Sequence, residues 1–215
     1  MGQRPRRRLD NTPFRTQPRL VRDTMPEQRE IRAHFNDTTI TVYQAYNAEI
    51  ADNAIKAGTL VAPFKMDRMT GIKPSFLWMM YRCGWATKLG QERVLAIDIT
   101  REGFEWALAN AALSSFSSLI HPDKESWREH MNDAPVRVQW DPERDLLLNV
   151  LPFRSIQVGL RGVAVRKYVT EWIRDVRDLT SQMQSMKRSL ELDRTEEARR
   201  MLPREAILSI ASSYR

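Results

Sequence analysis

The stretch RMTGIKPSFLWMMYRCGWATK, residues 68–88, combines a helix-forming pattern with a cationic and aromatic one. Its apolar residues recur at the spacing of a helix with one buried face. Pro74 suits the first turn of that helix, and Gly84 suits its end. The sequence therefore predicts a helix at Phe76–Cys83 that packs one face into the core.

Cations and large aromatic residues share this stretch. Cations neutralise phosphate groups, and aromatic faces stack on bases or on a nicotinamide-type ring. Two interpretations stay open: a core helix with a solvated basic rim, or a ligand-binding surface. The residues concerned are Arg68, Lys73, Trp78, Tyr81, Arg82, Trp85 and Lys88.

Outward from this stretch, strands are predicted from runs of β-branched and aromatic residues. They lie at residues 39–46, 93–99 and 154–160, and a hairpin is predicted from residues 136–140 and 145–150 around a turn at 141–144. Helices are predicted at residues 47–58 and 101–115, along Val165 to Val176, and at 181–201. Because crossover helices do not alternate regularly with these strands, the expected fold is α+β, with small antiparallel or mixed sheets flanked by helices.

The charge of the chain is concentrated at its start. Residues 1–29 hold eight arginines against three acidic residues, which is +5 of the net charge of +7. We therefore expect a flexible basic arm at residues 1–28 and a single α+β domain at 29–215. The arm would add affinity for nucleic acid or serve only as a solubilising tail.

The single cysteine, Cys83, leaves no partner for an internal disulfide and argues against a multi-cysteine metal site. Apolar runs are too short for a membrane-spanning helix. We expect a cytoplasmic protein without a metal or a membrane partner.

Polar residues inside the strands are candidates for a cleft. Gln44 alternates with Ile40 and Val42, and Gln157 lies between Ile156 and Val158. An inward-pointing amide must be hydrogen-bonded, either across the strands or to a ligand such as a ribose or an amide-bearing ring. Arg154 and Arg161, which bracket this late strand, would hold a pyrophosphate.

Several segments resemble the family known as domain of unknown function 4291. They are residues 31–33, 39–46, 68–70, 72–82, 93–99, 138–144 and 154–160, within a resemblance from about residue 29 to 203. The family pattern favours Trp where this chain has Gly71.

A more remote resemblance, to the ADP-ribosyltransferase superfamily, implies a fold and a chemistry. Those enzymes hold NAD between two small sheets, which implies NAD as the cofactor here. It also implies Arg32 or Gln44 on the early strand, Tyr43 or Tyr81 against nicotinamide, and Gln157 on the late strand. Glu143 is a possible substitute for the late-strand carboxylate of the superfamily.

Two functions from different classes follow. The first is a nucleotide-binding transferase that uses NAD with a nucleotide or nucleic-acid acceptor, and the second is a non-catalytic module for single-stranded RNA. In either case Arg68, Lys73, Trp78, Tyr81, Arg82 and Arg154 would contact the ligand.

Overall fold

The computed structural model describes residues 28–209, which form an α+β fold. The strands are Gln28–Glu30 (β1), Arg32–Ala33 (β2), Thr39–Tyr46 (β3), Thr70–Ile72 (β4), Arg93–Thr100 (β5), Ala111–Leu113 (β6), Val136–Arg144 (β7), Val150–Leu160 (β8), Ile173–Asp178 (β9) and Ala206–Ile207 (β10). The helices are Ala48–Ala57 (α1), Phe76–Cys83 (α2), Arg101–Ala109 (α3), Lys124–Asp133 (α4), Val163–Lys167 (α5), Thr180–Glu191 (α6) and Thr195–Arg200 (α7), and a π-helical turn covers Tyr168–Trp172. The predicted fold class is confirmed.

The larger sheet is built around β8. One edge of β8 pairs with β7 in an antiparallel hairpin, and β7 pairs in turn with β6 in parallel. The other edge pairs with β1 in parallel near its start and with β4 antiparallel at its end. The sheet is therefore mixed, which is one of the two arrangements that the sequence predicted.

The smaller sheet is antiparallel, with β5 between β3 and β9. A backbone bridge joins the two sheets, because the N–H of Tyr43 in β3 donates to the carbonyl of Lys73 directly after β4 at 2.8 Å. A short β2–β10 pair ties the C-terminal segment to the first residues of the described chain.

Two helices begin and end where the sequence predicts. Asn47 caps α1 by accepting from the N–H of Ile50, and Gly58 ends it in the left-handed region. Ser75 accepts from the N–H of Trp78 at the start of α2, and Gly84 ends that helix with φ of 60°. Pro74 precedes the cap, where it needs no helical hydrogen bond.

The main core lies between the two sheets and α1, α3 and α5. Alternate residues of β3 enter it, among them Ile40 and Val42, together with Ile97 of β5 and Val158 of β8. A second apolar cluster joins α2 to α6 through side chains such as Phe76 and Met183. The buried face predicted for α2 is confirmed.

Other predicted elements differ. The helix predicted at 101–115 ends at Ala109, because residues 111–113 pair with β7 instead. The predicted turn at 141–144 is strand, and the hairpin turns at 145–149, where Asp145 accepts from the N–H of Asn149. The strand predicted at 145–150 is therefore mostly turn, and the strand predicted at 154–160 is confirmed as part of the longer strand β8.

The long amphipathic helix predicted from Val165 to Val176 is wrong in its last third. After α5 and the π-helical turn, residues 173–178 pair with β5 as strand β9. The helix predicted at 181–201 is divided into α6 and α7 around Asp193, whose φ is 57°. The predicted flexible arm at residues 1–28 falls almost entirely outside the described residues.

Candidate functional site

A groove of about 410 Å³ lies where β3, β4, β8 and α2 meet, a size typical of small-molecule sites. The strands supply its floor, and the segment after α2 supplies part of its rim. Its lining consists of Gln44, Ala45, Tyr46, Arg68, Met69, Thr70, Gly71, Ile72, Lys73, Trp78, Met79, Arg82, Gln91 and Gln157.

The polar floor of the groove follows from strand alternation. Ile72 pairs with Val158, and Val158 pairs with Val138, so this row faces the core. The intervening residues face the other way, since side chains alternate along a strand. Lys73, Gln157, Gln139 and Asp141 therefore share the face on which the groove lies.

Lys73 lies at the floor with 1% of its side chain exposed. Its Nζ is 3.1 Å from Oδ2 of Asp141 and 3.5 Å from the ring centroid of Trp78. Burial lowers the pKa of Lys73 to about 8, although the carboxylate of Asp141 acts in the opposite direction. The charge of Lys73 is thus largely compensated inside the protein.

The two arginines of the groove are placed differently from Lys73. Arg68 and Arg82 are both exposed, and neither forms an ion pair with a carboxylate of residues 28–209. The Nη1 of Arg82 is within 3.4 Å of Oε1 of Gln91, a neutral partner. Because the lining contains no Asp or Glu, the open groove has a positive electrostatic character.

The two glutamines of the groove also differ. Gln44 is 3% exposed, its Nε2 donates to Oγ1 of Thr70 and to the carbonyl of Gly71, and its Oε1 accepts from the hydroxyl of Tyr168. Gln44 therefore ties β3 to β4, which is the structural alternative left open by the sequence. Gln157 is half-buried and makes no hydrogen bond through its side chain within the described chain.

Six of the predicted site residues line this groove: Gln44, Arg68, Lys73, Trp78, Arg82 and Gln157. Four others lie elsewhere. Tyr43 is buried against Phe76 with ring centroids 5.4 Å apart, and Tyr81 lies under the guanidinium of Arg144 at 3.7 Å. Arg32 pairs with Glu30, and Arg154 donates to the carbonyl of Trp140. The catalytic and binding roles assigned from the sequence stay predictions.

Glu143, the suggested substitute carboxylate, does not line the groove. It is a buried residue of β7 whose Oε1 accepts from the hydroxyl of Ser75 and from the N–H of Arg144. The bond from Ser75 holds β7 against the start of α2.

Sequence reasoning missed Asp141, the partner of Lys73. The Asp141-Pro142 dipeptide is typical of a turn and was interpreted as one. The alternation of Arg137, Gln139 and Asp141 with Val136 and Val138 was the signal that the strand continues. Gln91 and Met69 were also missed, and neither carries a pattern that distinguishes it.

Two further observations concern residues 28–209. They contain no cluster of three or more His, Cys, Asp or Glu side chains placed to hold a metal ion. None of their helices has the length and apolar character needed to span a bilayer.

Fold and groove together define an α+β domain with a cationic, carboxylate-free ligand groove. A family model matches residues 30–208, so the chain belongs to the family described as domain of unknown function (DUF4291). No match was found among curated proteins.

Proposed function

We propose that the groove binds a nucleotide through its phosphate groups, and that the protein is a cytoplasmic transferase using NAD to modify a nucleotide or nucleic-acid acceptor. One observation gives the main support for nucleotide binding. Arg68 and Arg82 stand at a groove whose lining contains no carboxylate, and neither has an ion-pair partner among the described residues.

Electrostatics favours an anionic ligand for this groove. Arginine presents several donors in a planar fork that matches phosphate oxygens, and it keeps its charge throughout the physiological pH range. An arginine already paired to a carboxylate would have to exchange that partner for the ligand. Arg68 and Arg82 have no such partner to lose within residues 28–209.

The volume favours one nucleotide over a long polynucleotide. A space of about 410 Å³ lies in the range of sites that bury one small molecule. Single-stranded nucleic-acid modules instead follow the backbone over at least four or so nucleotides, with several exposed stacking rings. In the groove, Trp78 is only 8% exposed.

The transfer reaction rests on the remote resemblance and on the carboxylate of Asp141. Cleavage of the nicotinamide glycosidic bond develops positive charge on the ribose, and oriented polar groups stabilise such charge. Asp141 lies on the sheet face that carries the groove, where its carboxylate is 14% exposed and paired with Lys73.

Titration calorimetry at constant ionic strength tests binding. The ligands are AMP, ADP, ATP and NAD, and the variants are Arg68→Ala and Arg82→Ala. Each variant should lose a charge-assisted contact of about 1.5–3 kcal/mol, which weakens affinity roughly tenfold or more. Arg128→Ala is the matched control, because Arg128 is exposed on α4 and does not line the groove. Unchanged affinity in both groove variants would contradict the proposal.

Incubation with labelled NAD and RNA tests the reaction. Release of nicotinamide with transfer of label supports the transferase. Tight binding of single-stranded RNA without turnover of NAD would favour the non-catalytic module in its place.

A further inference from the structure

Part of the groove floor has no side chain above it. Gly71, the central residue of β4, is exposed and lines the groove. A Cβ placed on Gly71 would meet Nε2 of Gln157 at 3.9 Å, with no closer neighbour in the described chain. A flat group can therefore lie directly on the strand backbone at this position.

Met69 forms a wall beside this open floor. It is 45% exposed, and its sulfur would lie 3.0 Å from a Cβ on Gly159, the cross-strand partner of Gly71. The thioether thus packs over Gly159 and leaves Gly71 uncovered. A thioether makes favourable contacts with the edge or face of an aromatic ring.

Gln157 borders the same floor and has unused hydrogen-bonding capacity. A glutamine amide offers a donor and an acceptor side by side, and it pairs bidentately with the amino group and ring nitrogen of adenine. Gln44, two strands away, has no such capacity because Thr70, Gly71 and Tyr168 use both ends of its amide.

The charges of the groove favour one of the two rings of NAD over the other. The nicotinamide ring of NAD is cationic, whereas adenine is neutral. Arg68 and Arg82 line the groove and form no ion pair with a carboxylate of residues 28–209, so a cationic ring would be repelled. Adenine is the ring that this part of the groove favours.

We propose that Gly71, Met69 and Gln157 form an adenine subsite. The ring lies on the backbone of Gly71 against the Met69 sulfur, and the Gln157 amide pairs with the adenine amino group and the adjacent ring nitrogen. This inference rests on the proposed nucleotide binding and names the base that is recognised.

The test compares AMP with purine riboside 5′-monophosphate, which lacks the amino group but keeps the ring and the phosphate. Both are titrated into the wild type and Gln157→Ala. The substitution should weaken AMP roughly 5- to 150-fold, the range of one bidentate pair, and leave purine riboside 5′-monophosphate nearly unchanged. Gly71→Val should weaken both ligands, and its fold should persist because a β-branched residue suits an exposed strand position.

Equal losses for the two ligands in Gln157→Ala would overturn the adenine pairing, and so would a larger loss for nicotinamide mononucleotide than for AMP. In each of those cases dependence on Arg68 and Arg82 would still support the proposed nucleotide binding. A wild-type protein that binds none of these ligands would overturn both proposals.

Discussion

Lys73 is a charged side chain with almost no exposed surface. Removing a charge from water is expensive, and a buried partner offsets that cost only with good geometry. Asp141 supplies a contact of 3.1 Å, and the ring of Trp78 adds a cation–π contact at 3.5 Å. The pair therefore joins β4 and α2 to β7 across the groove floor.

Lys73→Ala is expected to reduce the free energy of unfolding by about 1–3 kcal/mol, because it leaves the carboxylate of Asp141, which is 14% exposed, without its ion-pair partner. Urea denaturation of the wild type and the variant measures the difference.

A double variant, Lys73→Met with Asp141→Leu, is the control for this prediction. It replaces the ion pair by apolar side chains of similar size and should recover most of the lost stability. If Lys73→Ala alone unfolds at the same urea concentration as the wild type, the pair has no structural role of the kind described.

At the scale of single residues, the sequence predicted which polar side chains point inward, but it did not predict their hydrogen-bond partners. Alternation predicted that Gln44 points inward, and it does. Its partners lie at residues 70, 71 and 168, and no local pattern connects these positions. Whether such an amide is structural or binds a ligand depends on these distant contacts.

Among the elements, α3 and the π-helical turn are joined by a close contact at Gly103. A Cβ on Gly103 would lie 2.4 Å from Cγ of Trp172, whose ring is buried. In a free helix, alanine is more favourable than glycine by about 1 kcal/mol. In this protein the energetic cost of the steric overlap with Trp172 exceeds that gain in helix propensity.

Gly103→Ala should therefore lower stability, by about 1–3 kcal/mol for an overpacked core. Thermal unfolding followed by circular dichroism measures the change. Gly71→Ala is the matched control, because its Cβ has room, and it should leave the melting temperature unchanged or slightly higher. A Gly103→Ala protein as stable as the wild type would show that Trp172 can move aside.

Helices and strands were predicted well where nearby residues determine their type and ends. They were predicted poorly where pairing with a distant strand determines them. The caps at Asn47 and Ser75 fix two helices from within. Residues 173–176 continue a helical apolar pattern, yet β5 has an open edge beside them and their β-branched members fit a strand. Tertiary pairing overrides periodicity there.

At the scale of the whole molecule, the C-terminal segment closes the domain near the start of α2. Leu208 donates to the carbonyl of Ile31, and Oε1 of Glu205 accepts from the N–H of Phe76. Burial, assisted by the nearby Glu143, raises the pKa of Glu205 from its ordinary 4.5 to about 8. This shift favours the protonated form of Glu205 in the folded protein at neutral pH.

The raised pKa of Glu205 and the lowered pKa of Lys73 together predict a minimum near pH 8 in the stability of the fold. Between pH 4.5 and 8 the folded state holds a proton on Glu205 that the unfolded chain has lost, so stability falls as pH rises. Between pH 8 and 10.5 the unfolded chain holds a proton on Lys73 that the folded state has lost, so stability rises.

Melting temperatures measured across this range in one ionic strength check the prediction. Glu205→Gln keeps the acceptor for Phe76 and should remove the fall between pH 4.5 and 8, so that the variant is the more stable protein at pH 8. Parallel profiles for the wild type and Glu205→Gln would mean that Glu205 does not titrate as described.

The groove itself was only partly predictable. The mixture of cations and aromatic residues in residues 68–88 indicated a ligand surface, and Arg68, Lys73, Trp78 and Arg82 do line one groove. Tyr43 was misplaced because strand alternation does not say which face is covered by α2. Arg154 was misplaced because it is three residues from Gln157 on β8, and side chains an odd number of positions apart lie on opposite faces of a strand.

The two sheets meet at the Tyr43–Lys73 bridge, and the groove draws on both, with residues from Gln44 to Gln157. A ligand in the groove must therefore select the complete native state over every partly unfolded one. Mass action then raises the free energy of unfolding by about 2.7 kcal/mol when free ligand is a hundred times its Kd. For a chain of this length that gain corresponds to a rise of roughly 5–10 °C in Tm. Thermal shift of the intact protein is consequently a general screen for its ligand, and it requires no assumption about the reaction.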